Sequence, residues 1–387
     1  MLFSQRIAHL EPEGAYIVLA QAQAMEAQGK KVIHLEIGQP DFETYANISL
    51  AGIKAITDGK TGYNPAAGIP ELREALAQDI GRRRRIPVSA DQVVVAPGAK
   101  PLLFLPLLAL LNAGDEVIYP DPGFPTYLAA IEVAGARPVP LPLDEESGFD
   151  LDLNALDDLL GPRTRMIVLN SPANPTGGVL SLETIERVAE IARERDLWVL
   201  SDEIYSRLAY DTEAPSIISQ PGMQERTILV DGFSKTYAMT GWRLGYGIVP
   251  APLAQKLSLL LVHSVGCTAT FTQYAGLEAI TGPQDQAEAV RQAFQKRRDR
   301  IVAGLNDIPG FRCHMPQGAF YAFPNVKALN KSVEDLAQYL LENAGVALLP
   351  GTSFGANGDG FLRLSYANSL DNIDQALGRI KEAVRKL

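Results

Sequence analysis

Lys235 sits between a serine and a threonine in FSKTYAMTGWRLGYG (233–247), with Arg243 further along the same glycine- and aromatic-rich stretch. Its nearest acidic neighbour in the sequence is Asp231. The stretch reads as buried, and a buried ammonium is costly unless the site uses it. A neutral lysine amine in a polar pocket can attack an aldehyde to form a Schiff base, and can also move protons. An aldehyde carried on a phosphorylated pyridine ring sets further demands. Its ring nitrogen needs a carboxylate, which makes the ring an electron sink. Its phosphate needs a cation and backbone or hydroxyl donors, ideally at a helix N-terminus. Its phenolic oxygen needs hydrogen-bond donors, and the ring needs a flat neighbour.

Short apolar runs that read as strands each lead into a residue that could meet one of these demands. Asp202 and Tyr205 lie in SDEIY (201–205), after LWVL (197–200). Asn174 lies in NSPANPTGG (170–178), after MIVL (166–169). Ser234 and Lys235 follow TILV (227–230). Ala99 and Lys100 open an apolar helix after QVVVA (92–96), with Pro101 in its first turn, where a missing N–H does no harm. Phe124 follows EVIY (116–119) in DPGFPTY (121–127). Open α/β sheets bind ligands at such strand ends. Singly, each residue has an ordinary structural account: Asp202 as a helix cap, Asn174 as a turn residue, Phe124 as core, Arg243 as half an ion pair. Their joint occurrence in order points to pyridoxal phosphate.

The elements that must position these residues follow from periodicity. Between two strands, Leu182, Ile185, Ala189 and Ala192 share one face of a helix. Continuous apolar strands alternating with helices predict an α/β domain with a mostly parallel sheet between helices. After about residue 285 the texture changes. A charged helix (286–305), short strands and a helix near Ser332–Asn343 predict a smaller α+β domain. The N-terminal segment through His34-Leu35-Glu36-Ile37 is expected to pack with it. The division is therefore residues 46–285 for the large domain, and 1–45 with 286–387 for the small one.

Composition excludes other classes. The 387 residues carry a net charge of −10, against nucleic-acid binding as the main task. Arg82-Arg83-Arg84-Arg85 reads as a solvated helix end. Cys267 and Cys313 form no CxxC pair, which fits a reducing, cytoplasmic setting. The N-terminus lacks a signal-peptide core, and the longest apolar run, Leu102 to Leu111, is too short to span a bilayer. His9, His34, His263 and His314 are scattered and form no HExxH pair, so no metal is expected. No GxGxxG or P-loop follows a strand. Gly351-Thr352-Ser353-Phe354-Gly355 matches GxSxG, but loop residues follow it and no histidine lies beyond His314, so it is not expected to be a nucleophile elbow.

The chain resembles the class I aminotransferases, pyridoxal-phosphate enzymes of fold type I. The resemblance is carried by GYNPAAGIPELREALA (62–77), NSPANPTGG, SDEIY, FSKTYAMTGWRLGY (233–246), PQGAFYAFP (316–324) and LPGTSFGANGDGFLRLSYA (349–367). It implies that Lys235 is the Schiff-base lysine, and that Asp202 partners the pyridinium nitrogen. Asn174 and Tyr205 are implied to bond the phenolic oxygen, and Phe124 to stack on the ring. Ser234, Arg243 and the backbone of Ala99 and Lys100 are implied to hold the phosphate. Tyr63 resembles the tyrosine that reaches the phosphate from a partner subunit, which implies a homodimer with a shared site. Arg363 resembles the arginine that grips the substrate α-carboxylate, with Gly38 in IGQPDF nearby.

The implied reaction moves an amino group between an L-amino acid and a 2-oxo acid by a ping-pong mechanism. Lys235 would carry the proton from the substrate Cα. Two departures stand out. The turn PGAK lacks the hydroxyl residue some relatives place there, and Tyr45 stands where many have proline, so the entrance is expected to differ there. A dicarboxylate donor needs a second cation. The helix from Pro101 and the loop 263–273 offer no arginine or lysine, leaving His263 or Lys100, so neutral or apolar donors are favoured over aspartate. A lyase or synthase of the same fold, of the C–S lyase or aminocyclopropane-carboxylate synthase type, is the alternative. A non-catalytic amino-acid sensor is the remaining class.

Overall fold

The computed structural model describes residue 4, residues 6–8 and residues 10–387; His9 lies outside them. The first strand, β1 (Ile33–His34), belongs to a small sheet. The main sheet follows, with β2 (Val93–Ala96), β3 (Glu116–Asp121), β4 (Arg137–Asp144) and β5 (Asp150–Leu151) in its first half. Its second half is β6 (Thr164–Asn170), β7 (Trp198–Asp202), β8 (Thr227–Gly232) and β9 (Gly245–Ile248). Last come β10 (Tyr321–Ala322), β11 (Val346–Ala347), β12 (Leu349–Pro350) and β13 (Leu362–Ser365).

The eight-stranded sheet has the order β2-β9-β8-β7-β6-β3-β4-β5. The pairs β3–β4, β3–β6, β6–β7 and β7–β8 are parallel. β9 is antiparallel to both its neighbours, and β5 is antiparallel to β4. The sheet is therefore mostly parallel, as the continuous apolar strands predict. Alternation assigns each strand's residues to opposite faces. Val93 and Val95 enter one core, while Val94 and Ala96 enter another. The helices Pro101–Leu110 and Ala251–Ser264 close one face, and Pro70–Arg84 and Thr270–Thr281 the other.

β4 went unpredicted because its sequence, RPVPLPLD, looks hostile to a sheet. The prolines alternate, at 138, 140 and 142. The Arg137 N–H donates to Asp115 O at 2.8 Å, so the odd positions bond toward β3. The proline nitrogens face the other side, where β5 covers only the last two residues. Proline is tolerated at such edges.

Two expectations need correction. Leu182 does not join the buried stripe of its helix, which is Thr184, Ile185, Val188, Ala189, Ile191 and Ala192. It is the first helical residue and is 55% exposed. Side chains lean back toward a helix N-terminus, which carries Leu182 away from the sheet. The arginine run is not a solvated helix end either. Arg82 points outward, but the Arg84 guanidinium donates to Glu203, whose carboxylate also takes the hydroxyls of Ser201 and Ser216. Arg83 lies 3.6 Å from both Asp79 and Asp231. Three buried carboxylates needed cations, and this helix end supplies them.

Beyond the main sheet, β1 pairs in parallel with β11 (Ile33↔Val346), which joins the N-terminal segment to the C-terminal part. β13 is the centre of a second small sheet between β10 and β12. Around these pack the helices Asp285–Asn306, Val333–Ala344 and Leu370–Val384. Ser332 caps the second, accepting the Asp335 N–H at 3.1 Å. The GxSxG match forms one 3₁₀ turn, Gly351–Phe354, after a two-residue strand, and a second 3₁₀ turn, Ala356–Gly358, follows it. A nucleophile elbow would need a helix there.

Replacing Arg84 by Met leaves the Glu203 carboxylate buried and unpaired, so unfolding in urea should show a loss of about 3 kcal/mol. Arg82→Met, at a side chain 75% exposed, should change stability by less than about 0.5 kcal/mol.

Candidate active site

The strand ends β6, β7 and β8 open into a cleft of about 1250 Å³. Asp202 closes β7, Asn170 closes β6, and the loop carrying Ser234 and Lys235 leaves β8. Of the residues predicted from sequence, Gly38, Ala99, Lys100, Phe124, Asn174, Asp202, Tyr205, Ser234, Lys235, Arg243 and Arg363 all line this one cleft. Tyr63 does not; it is 99% exposed, beyond the helix Ala46–Thr57.

Lys235 is half-buried rather than fully enclosed, because its side chain faces the cleft. Its amine donates to Gly38 O at 2.5 Å and lies 5.8 Å from the Tyr205 ring centre. Burial, aided by the Arg363 guanidinium, lowers its pKa from 10.5 to about 8. The lysine therefore keeps a substantial neutral fraction near neutral pH. Its loop is held from below. Tyr45 is buried and its hydroxyl donates to Thr236 O at 2.7 Å. Tyr45 does not line the cleft; it is turned into the packing beneath the loop that carries Lys235. Its neighbour Thr44 lines the cleft and donates to Ala238 O at 2.7 Å.

Asp202 is buried, and burial pushes its carboxyl up to about 6. The Tyr127 hydroxyl donates to it at 2.8 Å and the Ile204 N–H at 3.2 Å, both favouring the charged form. Asp231 and Glu203 push the other way. Among the described residues no cation bridges to it. Such a carboxylate fits the protonated nitrogen of a pyridine ring. Asn170 fixes the floor beside it, donating to Asp202 O at 3.0 Å and accepting the Asn174 N–H at 2.9 Å.

Arg363, on β13, lies between Tyr321 and Phe354, 4.7 Å and 5.1 Å from their ring centres. It donates to Glu36 O and, at 3.4 Å, to Asn174 Oδ1. Its Nε is buried without a partner. An unfilled guanidinium edge fits an incoming carboxylate. Tyr205 shares a 2.6 Å hydrogen bond with Tyr321, and burial raises the phenol of each.

At the far end the turn 97–99 meets Arg243. Gly98 has φ +89°, and a Cβ there would strike the Arg243 guanidinium. Gly245 must be glycine as well, since its Cβ would strike the backbone of Gly98 and Ala99. Gly241 has no such need; open space lies beside it. Arg243 itself has φ +52° and donates to Thr240 O at 2.9 Å. The turn 97–99 thus meets Arg243 in one corner of the cleft, whose lining also includes Lys100 and Ser234. A small tetrahedral anion suits such a corner. Residues the sequence reading missed are Tyr127, Tyr321 and Asn170. Tyr127 and Tyr321 lie inside quoted motifs, but no pattern told them from core aromatics.

The family profile "Aminotransferase class I and II" matches residues 30–380. The chain belongs to that family. It is an aminotransferase, and its fold is that of the solved relatives. A "Probable aspartate/prephenate aminotransferase" of Aquifex aeolicus is 40% identical, covering 99% of this chain and 99% of its own. The aspartate aminotransferase of Rhizobium meliloti superposes with a TM-score of 0.95 at 36% identity, covering 100% of both chains. An alanine aminotransferase of Pyrococcus furiosus superposes at 0.94 with 31% identity, again over 100% of both.

The lysine's lowered pKa can be read in the aminotransferase freed of any bound aldehyde. Borohydride trapping of pyridoxal phosphate at Lys235 should rise with pH through a midpoint near 8 and level off well above it. A midpoint near 10.5 would mark an ordinary lysine.

Proposed function

We propose that this aminotransferase binds pyridoxal phosphate in the cleft and moves amino groups from neutral or apolar L-amino acids to 2-oxo acids in ping-pong order. The observation that carries the cofactor reading is the buried Asp202 carboxylate, which no cation bridges among the described residues and which faces the same cleft as the Lys235 amine. Pyridoxal phosphate, when bound, supplies an aldehyde carbon and a ring that accepts the electrons of a broken Cα–H bond.

The residues then take these roles. Lys235 would bind the aldehyde and, as a free amine, would take the proton from the substrate Cα. Its pKa of about 8 suits that work near neutral pH. Asp202 would keep a proton on the ring nitrogen, with Tyr127 holding Asp202. Asn174 and Tyr205 would serve the phenolic oxygen, and Phe124 would offer the ring a flat neighbour. Ser234, Arg243 and the Ala99 and Lys100 backbone would hold the phosphate. Arg363 and the Gly38 backbone position the substrate α-carboxylate, with Asn174 alongside. The first 2-oxo acid leaves before the second enters, because both need Arg363.

The donor preference rests on the cations. Lys100, Lys235, Arg243 and Arg363 are the lysines and arginines lining the cleft. Lys100 is already paired with Glu13. His263 does not line the cleft, and the 263–273 segment contributes only Ala269, Phe271 and Thr272. Relatives named for aspartate make that dicarboxylate the competing donor, and the relative named for prephenate adds a 2-oxo acid to the candidate acceptors.

A homodimer is supported by exposed apolar side chains at Leu50, Ile53 and Ile56, on one face of a helix. Leu259 and Val262 are exposed likewise. The full exposure of Tyr63, outside its own cleft, supports a role in reaching the phosphate corner of a partner subunit. The two-domain division at residues 46–285 against 1–45 with 286–387 would let the Arg363 side close on the Lys235 side. Among the described residues no helix is long and apolar enough to cross a membrane, and the proposed setting is the cytoplasm.

Lys235→Ala should lose turnover and the visible absorbance of the loaded enzyme together. Varying donor against acceptor should give parallel double-reciprocal lines, and intersecting lines would remove the ping-pong order. Arg363→Lys cannot form the two-pronged grip, so kcat/KM for every donor should fall by on the order of 100-fold.

A further inference from the structure

Glu13 stands just before the helix Gly14–Glu26, at the position where a side chain ordinarily caps the helix. It makes no such bond. Its carboxylate turns into the cleft instead, where it accepts from the Lys100 amine and, at 3.4 Å, from the Thr126 hydroxyl. Lys100 is held over the Phe124 ring, 5.3 Å from its centre. The chain at Glu13 is fixed by its neighbours. Gly14 packs so closely on Ser353 that a Cβ would overlap that side chain. Ser353 belongs to the turn that carries Phe354 against Arg363. Glu13 therefore stands on the same side as the proposed carboxylate grip, and its charge is felt at Arg363 and Tyr321. The helix it precedes adds Ala15, Tyr16 and Leu19 to the wall, and Ile37 completes an apolar stretch.

We propose that Glu13 is a specificity-determining residue: by engaging Lys100 it leaves the side-chain end of the cleft without a free cation. Donors with uncharged side chains fit against the apolar wall. A donor with a second carboxylate meets the Glu13 charge and must displace it to reach Lys100. Like-charge juxtaposition of this kind discriminates without any added contact to the favoured substrate. The inference rests on the cleft being the amino-donor site, as proposed above.

The test uses the pyridoxal-phosphate-loaded enzyme with 2-oxoglutarate as acceptor, and reads the ratio of kcat/KM for aspartate to that for leucine. Glu13→Gln keeps the shape and an acceptor for Lys100 but removes the charge. The ratio should rise about fivefold or more. Glu13→Asp, shorter but still charged, should move it far less. In the double variant E13Q/K100M most of the gain should be lost, because the freed amine supplies the attraction. An unchanged ratio in E13Q overturns the inference, and so does a gain that survives undiminished in E13Q/K100M. A wild-type enzyme that prefers aspartate, with E13Q raising the ratio further, overturns the neutral-donor reading and supports the role of Glu13.

Discussion

Burying a carboxylate without a cation is unfavourable, and the Asp202 end of β7 does so at the floor of the cleft. The surrounding structure is arranged to make it tolerable. Tyr127 reaches across from the helix Thr126–Ala134 to donate to it, and the Ile204 N–H turns back toward it. Asn170 ties the backbone of Asp202 to the neighbouring strand. None of these neutral donors removes the charge, so the demand for a cationic partner is left standing in the cleft. A bound protonated ring would meet it, which couples affinity for that ring to the folding of β7.

Behind the floor lies a second buried layer of charge in which each carboxylate has a cation near it. Asp79 takes Arg207 at 2.6 Å and Arg82 at 3.0 Å; Asp231 takes the Tyr246 hydroxyl at 2.9 Å and stands near Arg83. Glu203 takes Arg84. Asp202, Glu203 and Asp231 would otherwise repel one another at adjacent strand ends. The arginines of one helix end supply the compensation, and Asp202 alone is left for the cleft side.

The main sheet and the cleft were legible from sequence because parallel strands are apolar throughout, and because residues with chemistry follow their carboxyl ends. Lys235, Asp202, Asn174 and Arg363 are costly to bury for packing alone, so their types betrayed them. Tyr127 and Tyr321 did not stand out, since a tyrosine serves equally as core. Asp231 beside Arg83 and Glu203 beside Arg84 lie more than a hundred residues away in sequence, and a run of arginines gives no sign of such distant carboxylates. β4 was hidden by prolines whose harmlessness depends on which side its neighbour lies. β9 (GYGI) was hidden by glycines that permit close approach to the turn 97–99.

β9 runs antiparallel between β2 and β8, and Gly232 pairs with Gly245. The segment between them, which carries both Lys235 and Arg243, is thus a loop stapled at its neck. Its ends cannot separate without tearing two adjacent strands. The Lys235 end and the Arg243 end of the cleft are therefore set at a fixed span before any ligand arrives, and the entropy of closing the loop belongs to folding rather than to binding. Whatever motion a catalytic cycle needs must come from the Lys235 side chain or from the walls around it, with this loop acting as the stationary anvil.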